Sequence, residues 1–288
     1  MSVLMSGCKD VEEPIPSYLY ISSIDLKTSA TGEQGAAAHD IVDAWVYVDN
    51  AFIGVFEMPS TIPVLKSGKS SVTVVAGVKK NGQSDSRVAY PFYGTYNVEM
   101  DLKPAQVDTV RPVVEYKDAV RFPWLEDFED NSLSVEGTGS NTTTDTLLIT
   151  EDLTEVYGYD GDKSIRSGKV EVPLGFQKFE VSTIQAFDIP RDGREIYLEL
   201  NFKCNTEFVV GVYPLNGSVV TGVSVVNFYS TADENNELQW KKAYVSLKED
   251  LNAPANRTSD FRVFINAQTN SSDERPLLFF DNIKLVHF

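Results

Sequence analysis

The chain has 288 residues, 42% of them hydrophobic, which is enough apolar material for two ordinary domains. It carries 42 acidic and 25 basic side chains, and the net charge of -17 would repel phosphate backbones and anionic lipid surfaces. This charge argues against nucleic acid as a partner. Two cysteines are too few for a disulfide framework.

The first predicted element is a targeting segment that ends at Cys8. Small residues precede this cysteine in Met5-Ser6-Gly7-Cys8, and this run resembles the lipobox of bacterial lipoproteins. The resemblance implies that diacylglycerol is attached to the Cys8 thiol and anchors the protein in a membrane. A basic start and most of an apolar core are missing, so we expect translation to begin upstream of Met1. The alternative is an ordinary thiol in a tail.

An acidic, proline-containing tether follows the cysteine. Charge repulsion and the two prolines, Pro14 and Pro16, favour an extended chain here. The acidic run also resembles the export signal of surface-exposed lipoproteins in the Bacteroidota, although a simple solvated tail would have the same composition. We therefore interpret residues 1–17 as a signal remnant and tether. The expected location is the outer membrane, facing the cell exterior, with other outer-membrane proteins as partners.

From residue 18 onward the pattern predicts short β-strands and no long helix. Strands are expected at 18–26, 44–48, 52–56 and 70–78. Two turn signals separate them, because Asp49-Asn50 and Asn81-Gly82 tolerate the left-handed backbone of tight hairpins. The sequence therefore predicts an all-β protein.

The N-terminal domain is expected to span residues 18–115. Its segment AWVYVDNAFIGVFEMP, residues 44–59, resembles the transthyretin-like or immunoglobulin-like modules of secreted bacterial proteins. The resemblance implies a small β-sandwich. Residues 104–112 contain two prolines, which predicts an edge strand or linker before the second domain.

Residues 116–288 contain several motifs in the order found in one group of β-sandwiches. These motifs are FPWLEDFED (122–130), YDGDKSIR (159–166), LQWKKAYVSL (238–247), FRVFIN (261–266) and LFFDNIKL (278–285). Together they resemble the galactose-binding-like jelly rolls, which include many carbohydrate-binding modules. The resemblance implies a two-sheet jelly roll whose first and last strands lie side by side.

The same resemblance implies a structural calcium ion at the ends of those two strands. By position, its ligands would be Asp127 or Glu129 together with Asp281. Calcium prefers several carboxylate and carbonyl oxygens, which these residues offer. The alternative is that backbone amides or solvent satisfy the carboxylates.

The sequence contains no recognisable set of catalytic residues. His39 and His287 are the only histidines, and both are expected at the surface, so neither a Ser-His nor a Cys-His pair is indicated. Zinc spacing and a phosphate-binding glycine loop are also absent from the sequence. We therefore predict that the protein is not an enzyme and needs no catalytic cofactor.

Aromatic side chains at turns and strand ends are candidates for stacking on sugars. The candidates are Tyr157, Tyr159, Tyr213, Phe228 and Tyr229. Trp240 is a weaker candidate, because the matching position in the resembling modules packs in the core. Each candidate could instead fill the interior or rim of the sandwich.

Two functions remain open at this point. The favoured one is a non-catalytic surface lipoprotein that acts as an interaction or accessory subunit of an outer-membrane assembly. The alternative is a glycan-binding lipoprotein of a polysaccharide-uptake system, using its C-terminal jelly roll. Fold alone does not decide between them.

Overall fold

The computed structural model describes residues 14–138, 143–144, 147–159, 162–172, 178–215, 221–256, 259–268 and 275–288. In these ranges the chain is almost entirely β-structure. The first ten strands are β1 (Ser17–Ile21), β2 (Asp25–Lys27), β3 (Ile41–Val48), β4 (Ala51–Glu57), β5 (Ser60–Val64), β6 (Gly68–Lys79), β7 (Arg87–Ala89), β8 (Thr95–Leu102), β9 (Val107–Val110) and β10 (Val113–Glu115).

The second half adds fourteen strands and a five-residue helix to the described part. They are β11 (Arg121–Glu126), β12 (Val135–Gly137), β13 (Thr143–Thr144), β14 (Leu147–Thr150), β15 (Gly158–Tyr159), β16 (Asp162–Lys163), β17 (Ser167–Glu171), β18 (Lys178–Thr183), β19 (Ile196–Cys204), β20 (Phe208–Pro214), β21 (Val223–Phe228), β22 (Lys241–Ser246), α1 (Lys248–Asn252), β23 (Phe261–Gln268) and β24 (Leu277–His287). The all-β prediction is confirmed.

The first ten strands form a sandwich of two layers. One layer is a five-stranded sheet in the order β4-β3-β6-β7, with β8 also paired to β6. The other layer combines the sheets β5-β1-β9 and β10-β2. Successive side chains of a strand point to opposite faces, so Val46 and Val74 lie in the core between the layers. Trp45 lies on the outer face and is half-buried.

Both predicted hairpin turns are confirmed. Asp49 and Asn50 have φ angles of 46° and 66°, and Asn81 and Gly82 have φ angles of 57° and 69°. These positive values are those of turns that match the twist of the flanking strands. The predicted strand at 18–26 is wrong in one respect, because it divides into β1 and β2, which belong to different sheets.

Apart from β15 and β16, which pair only with each other, the remaining strands form a second sandwich with two six-stranded sheets. Their orders are β14-β17-β24-β19-β22, with β11 paired to β24, and β12-β18-β23-β20-β21, with β13 paired to β18. The first and last strands of this half, β11 and β24, are therefore adjacent and antiparallel, as the jelly-roll resemblance implies. Phenylalanines from both sheets, among them Phe208 and Phe280, meet in its core.

The two sandwiches pack directly against each other. Tyr197, Tyr244 and Val286 project from β19, β22 and β24 into the hydrophobic core of the N-terminal sandwich. Strand β10 ends before the C-terminal sandwich begins with β11, and the exact division at residues 115 and 116 stays a prediction. A broad interface of this kind positions the rims of both sandwiches side by side.

Cys8 and the first part of the tether lie outside the described residues, so the lipid anchor stays a prediction. Among the residues that the structure does describe, no helix is long and apolar enough to cross a membrane.

Candidate functional site

A cleft of about 840 Å³ lies at the rim where the two sandwiches meet. One wall comes from the N-terminal sandwich, through the loop before β3 and the turn after β6. The other wall comes from the C-terminal sandwich, through β19, the end of β21 and the beginning of β22. Clefts between domains are frequent ligand sites, because they combine surfaces that neither domain offers alone.

The turn Asn81-Gly82 fixes the relative position of the two walls. The Asn81 N–H donates to the carbonyl of Tyr244 at 2.8 Å, and the Ser246 N–H donates to Asn81 Oδ1 at 2.8 Å. Gly82 lies so close to Phe228 that an added Cβ would be 3.0 Å from its ring. A turn that the sequence indicates for a local reason therefore also joins the two sandwiches.

Aromatic side chains line the C-terminal wall. Tyr157 meets Trp240 edge-on, with ring centroids 5.3 Å apart. Phe228 is buried and packs on Phe202 of the sandwich core, whereas Tyr229 beside it is 69% exposed. Tyr229 and the half-buried Trp240 therefore offer ring surface at the cleft. The buried Tyr157 packs against Trp240.

Polar side chains line the same cleft as these rings. Asn201, Asn227, Gln83 and Ser230 all line the cleft. The Oδ1 atom of Asn201 and the indole Nε1 of Trp240 are buried, and neither has a hydrogen-bond partner among the described residues. Such atoms cost about 1–3 kcal/mol each, so this region is not arranged for stability alone.

A histidine and an aspartate lie next to each other in the loop that forms part of the N-terminal wall. His39, predicted to lie at the surface, is half-buried at the cleft, and burial lowers its pKa. Burial also raises the pKa of the neighbouring Asp40, whereas Lys79 and Lys241 oppose that rise. The Asp40 backbone N–H donates to Tyr244 Oη at 3.0 Å, which holds this loop against the C-terminal sandwich.

Lys242 connects the cleft to a buried charged cluster between the sandwiches. Its Nζ lies 3.1 Å from Glu199, which also accepts hydrogen bonds from Tyr90 at 2.7 Å and Tyr116 at 2.8 Å. Burial alone would raise the pKa of Glu199, but the neighbouring Lys242 and Lys284 bring it below its usual value. Burial lowers the pKa of Lys284 to about 7. One carboxylate thus gathers hydroxyl and ammonium groups from both halves of the protein.

The structure brings Tyr157, Phe228 and Tyr229, three of the five aromatic candidates, to the same cleft. The side chain of Tyr159 lies outside the described part of the structure. Trp240, the weaker candidate, lines the cleft instead of packing in the core. Trp240 directly precedes the two lysines at the start of β22. A residue just outside a strand lies near the rim of a sandwich, so its position in the sequence already favours a partly exposed ring.

Tyr213 lies outside the cleft, near the end of β20 that is opposite the pairing of Phe208 with Phe228. Its ring stacks on Phe264 at 4.5 Å, and its hydroxyl donates to Glu180 at 2.8 Å. Burial raises the pKa of Glu180, but the ion pair with Lys178 and hydrogen bonds that include the one from Tyr213 lower it to about 2. Tyr213 therefore belongs to a separate polar cluster.

The three predicted calcium ligands lie near one another but are engaged with the protein. Asp127 Oδ1 accepts from the Glu129 N–H at 3.2 Å, and Glu129 Oε1 accepts from the Ile165 N–H at 3.0 Å. Asp281 accepts from Ser167 Oγ at 2.5 Å, and burial raises its pKa to about 7. In the described ranges, no three His, Cys, Asp or Glu side chains converge as a metal site would require. Calcium stays a prediction.

No protein-family model and no curated protein matches the chain. Solved structures match at low similarity. One, from work on the promiscuous specificity of carbohydrate-binding modules of the β-sandwich superfamily, is 13% identical, with a TM-score of 0.37 and coverage of 85% of both chains. A carbohydrate-binding module specific for non-crystalline cellulose, CBM28, is 12% identical, with a TM-score of 0.37 and coverage of 55% of this chain and 91% of that one.

An exo-β-agarase also matches, with 14% identity, a TM-score of 0.37 and coverage of 57% of this chain and 24% of that one. Identities and TM-scores this low identify neither a site nor an activity in the present chain. What the cleft does must be argued from its own residues.

Proposed function

We propose that the protein captures glycans, and that the cleft between the two sandwiches is the binding site. The observation that carries the proposal is the combination of exposed aromatic surface and amide groups in one concave site. Sugars present C–H groups on the faces of their rings and hydroxyl groups around the edges, so a site needs both kinds of surface. Tyr229 and Trp240 offer the first, and the exposed Asn227 and Gln83 offer the second.

The size of the cleft is consistent with this ligand. Its volume of about 840 Å³ lies within the 300–1,000 Å³ range typical of small-ligand sites. Because the cleft is open at the rim, a longer polysaccharide could enter with a few of its residues. The proposed site therefore differs from the sequence prediction, which assigned glycan binding to the C-terminal jelly roll alone.

The proposal is binding and not hydrolysis. Most glycosidases use two carboxyl groups, placed about 5–10 Å apart on either side of the scissile bond. Among the described residues that line the cleft, only Asp40 carries a carboxyl group. If lipid is attached at Cys8, as the sequence predicts, the protein would hold a glycan at the outer surface of the cell for a neighbouring transporter.

The test uses the full chain and Tyr229→Ala, with Phe52→Ala as the matched control. Both residues are exposed aromatics, at 69% and 54%, but Phe52 lies on β4, away from the cleft. Isothermal titration against a panel of soluble oligosaccharides should identify a ligand. We expect Tyr229→Ala to weaken its binding about tenfold, because a stacking surface is lost, and Phe52→Ala to leave it unchanged.

Equal weakening by both variants would argue against the cleft. Failure of the whole panel to bind would argue against glycan capture.

One surface favours the interaction-subunit alternative. On the outer face of the N-terminal sheet, Phe52 packs against Trp45 and Tyr47, at centroid distances of 6.0 Å and 5.2 Å, and the neighbouring Val55 is 41% exposed. Exposed apolar surface of this kind is typical of protein contacts. The measurement is whether Phe52→Ser abolishes co-purification of a stoichiometric membrane partner. If Phe52→Ser co-purifies with the same partners as the unmodified protein, the alternative is contradicted.

A further inference from the structure

The charge of the cleft is opposite to the charge of the chain. The protein as a whole carries -17. Yet the described residues lining the cleft include three lysines, Lys79, Lys241 and Lys242, and only one acid, Asp40. A random sample of this surface would be expected to be acidic, so the lysines call for an explanation.

The presence of Lys242 is explained by its ion pair, because it is buried and paired with Glu199 inside the interface. Lys79 and Lys241 differ from it. Lys79 ends β6 on the N-terminal wall, and Lys241 begins β22 on the C-terminal wall. Neither forms an ion pair within 4.0 Å in the part of the chain that the structure describes.

The one acid among the described residues lining the cleft, Asp40, forms no ion pair with either lysine. Both lysines act on Asp40 only at a distance, lowering a pKa that burial raises. Glu249 is paired with Lys80 at 3.0 Å, and Glu207 accepts a hydrogen bond from Asn227 at 3.3 Å. With one carboxylate shared between two ammonium groups, the cleft retains positive charge.

We propose that the natural ligand is an anionic glycan, whose carboxylate or sulfate group lies between Lys79 and Lys241. This inference rests on the proposed function and deepens it. Two ammonium groups from opposite walls supply charged hydrogen bonds to one anionic group, and such bonds are roughly twice as strong as neutral ones. A neutral glycan could use the rings and amides equally well, but it would leave the two lysines with only Asp40 as a counter-charge in the cleft.

The experiment compares oligogalacturonate with its fully methyl-esterified form, which has the same length and ring geometry without the charge. A second pair is a sulfated oligosaccharide and its desulfated form. Isothermal titration with the full chain at low salt should show at least about tenfold tighter binding of one charged ligand over its neutral partner. Raising the salt to about 0.3 M should reduce that advantage, since ions screen exposed charges.

The variants Lys79→Gln and Lys241→Gln test whether these two lysines bind the anionic group. Each should weaken binding of the charged ligand several-fold and leave binding of its neutral partner unchanged. Lys69→Gln is the matched control, because Lys69 is an exposed lysine on β6 at the opposite end from Lys79. Circular dichroism of each variant verifies that the fold is retained.

The outcomes separate the inference from the function on which it rests. Equal binding of the charged and neutral partners would overturn the anionic ligand and leave glycan capture standing. The same conclusion follows if Lys69→Gln weakens binding as much as the two cleft variants do. If no charged or neutral ligand binds, both the inference and the proposed function fail.

Discussion

Glu199 joins side chains of both sandwiches around one buried carboxylate. Tyr90 and Tyr116 reach it from the N-terminal half, and Lys242 and Lys284 reach it from the C-terminal half. Buried charge is tolerated only when it is paired and hydrogen-bonded, because water has been removed from it. The network therefore makes the stability of each half depend on the other.

We predict that Glu199→Gln lowers the free energy of unfolding by about 3 kcal/mol, because two buried lysines lose their counter-charge. Urea denaturation followed by circular dichroism measures the change. Glu115→Gln is the control, since Glu115 pairs with Lys27 at 3.0 Å but both side chains are well exposed. An exposed pair contributes little. Equal losses in the two variants would show that the buried cluster has no special role.

The turn between β6 and β7 has two tasks, since it reverses the chain and contacts the second sandwich. Its counterpart between β3 and β4 also bonds to a neighbouring strand, since Asp49 Oδ1 accepts from the Ser71 N–H at 2.7 Å, but this contact lies within the N-terminal sandwich. Both contain an asparagine at positive φ, Asn81 and Asn50. This pair of elements allows the contact between sandwiches to be separated from the requirements of the turn itself.

Asn81→Gly keeps the backbone conformation but removes the acceptor for the Ser246 N–H. We expect a loss of about 1–2 kcal/mol in the free energy of unfolding, because a partly buried donor is left unpaired. Asn50→Gly, measured by the same urea titration, is the control, because it adds the same backbone freedom without removing a contact between the sandwiches. We expect it to lower the free energy of unfolding by only a few tenths of the loss for Asn81→Gly. A similar loss for both variants would contradict a contact role for Asn81.

The molecule as a whole is expected to unfold in one step. Residues of β19, β22 and β24 belong to the N-terminal core, so separating the sandwiches would expose Tyr197, Tyr244 and Val286 to water. It would also leave Glu199 without its two tyrosine donors. For this reason a glycan-binding test belongs on the full chain and not on residues 116–288 alone.

The three tryptophans make this testable. Trp45 lies in the N-terminal sandwich, and Trp124 and Trp240 lie in the C-terminal one. In the double variant Trp124→Phe/Trp240→Phe, fluorescence reports only the N-terminal half, whereas circular dichroism reports both. We expect the two urea curves to coincide. A fluorescence midpoint clearly separated from the dichroism midpoint would mean that the halves unfold independently.

By itself the sequence determined the local features of this protein. Residues with high β propensity identified the strands at 44–48 and 70–78, because β-branched and aromatic side chains pack well on a pleated surface. Asparagine and glycine identified the turns at 49–50 and 81–82, because those residues accept positive φ. The motifs near 122 and 278 indicated the neighbouring first and last strands of the jelly roll. The strands and turns depend on neighbours along the chain, whereas the pairing of β11 with β24 was implied by the jelly-roll resemblance.

Only the tertiary structure decided how the halves meet and where the cleft lies. Glu199, Lys242 and Lys284 occupy ordinary strand positions, and their pairing depends on contacts between residues more than 40 positions apart. The same holds for Trp240 and Lys79, which reach one cleft from different sandwiches. Side-chain periodicity gives the face of a strand but not its partner across a domain interface. The sequence therefore indicated candidate aromatic residues, and the fold determined which of them lie in the same cleft.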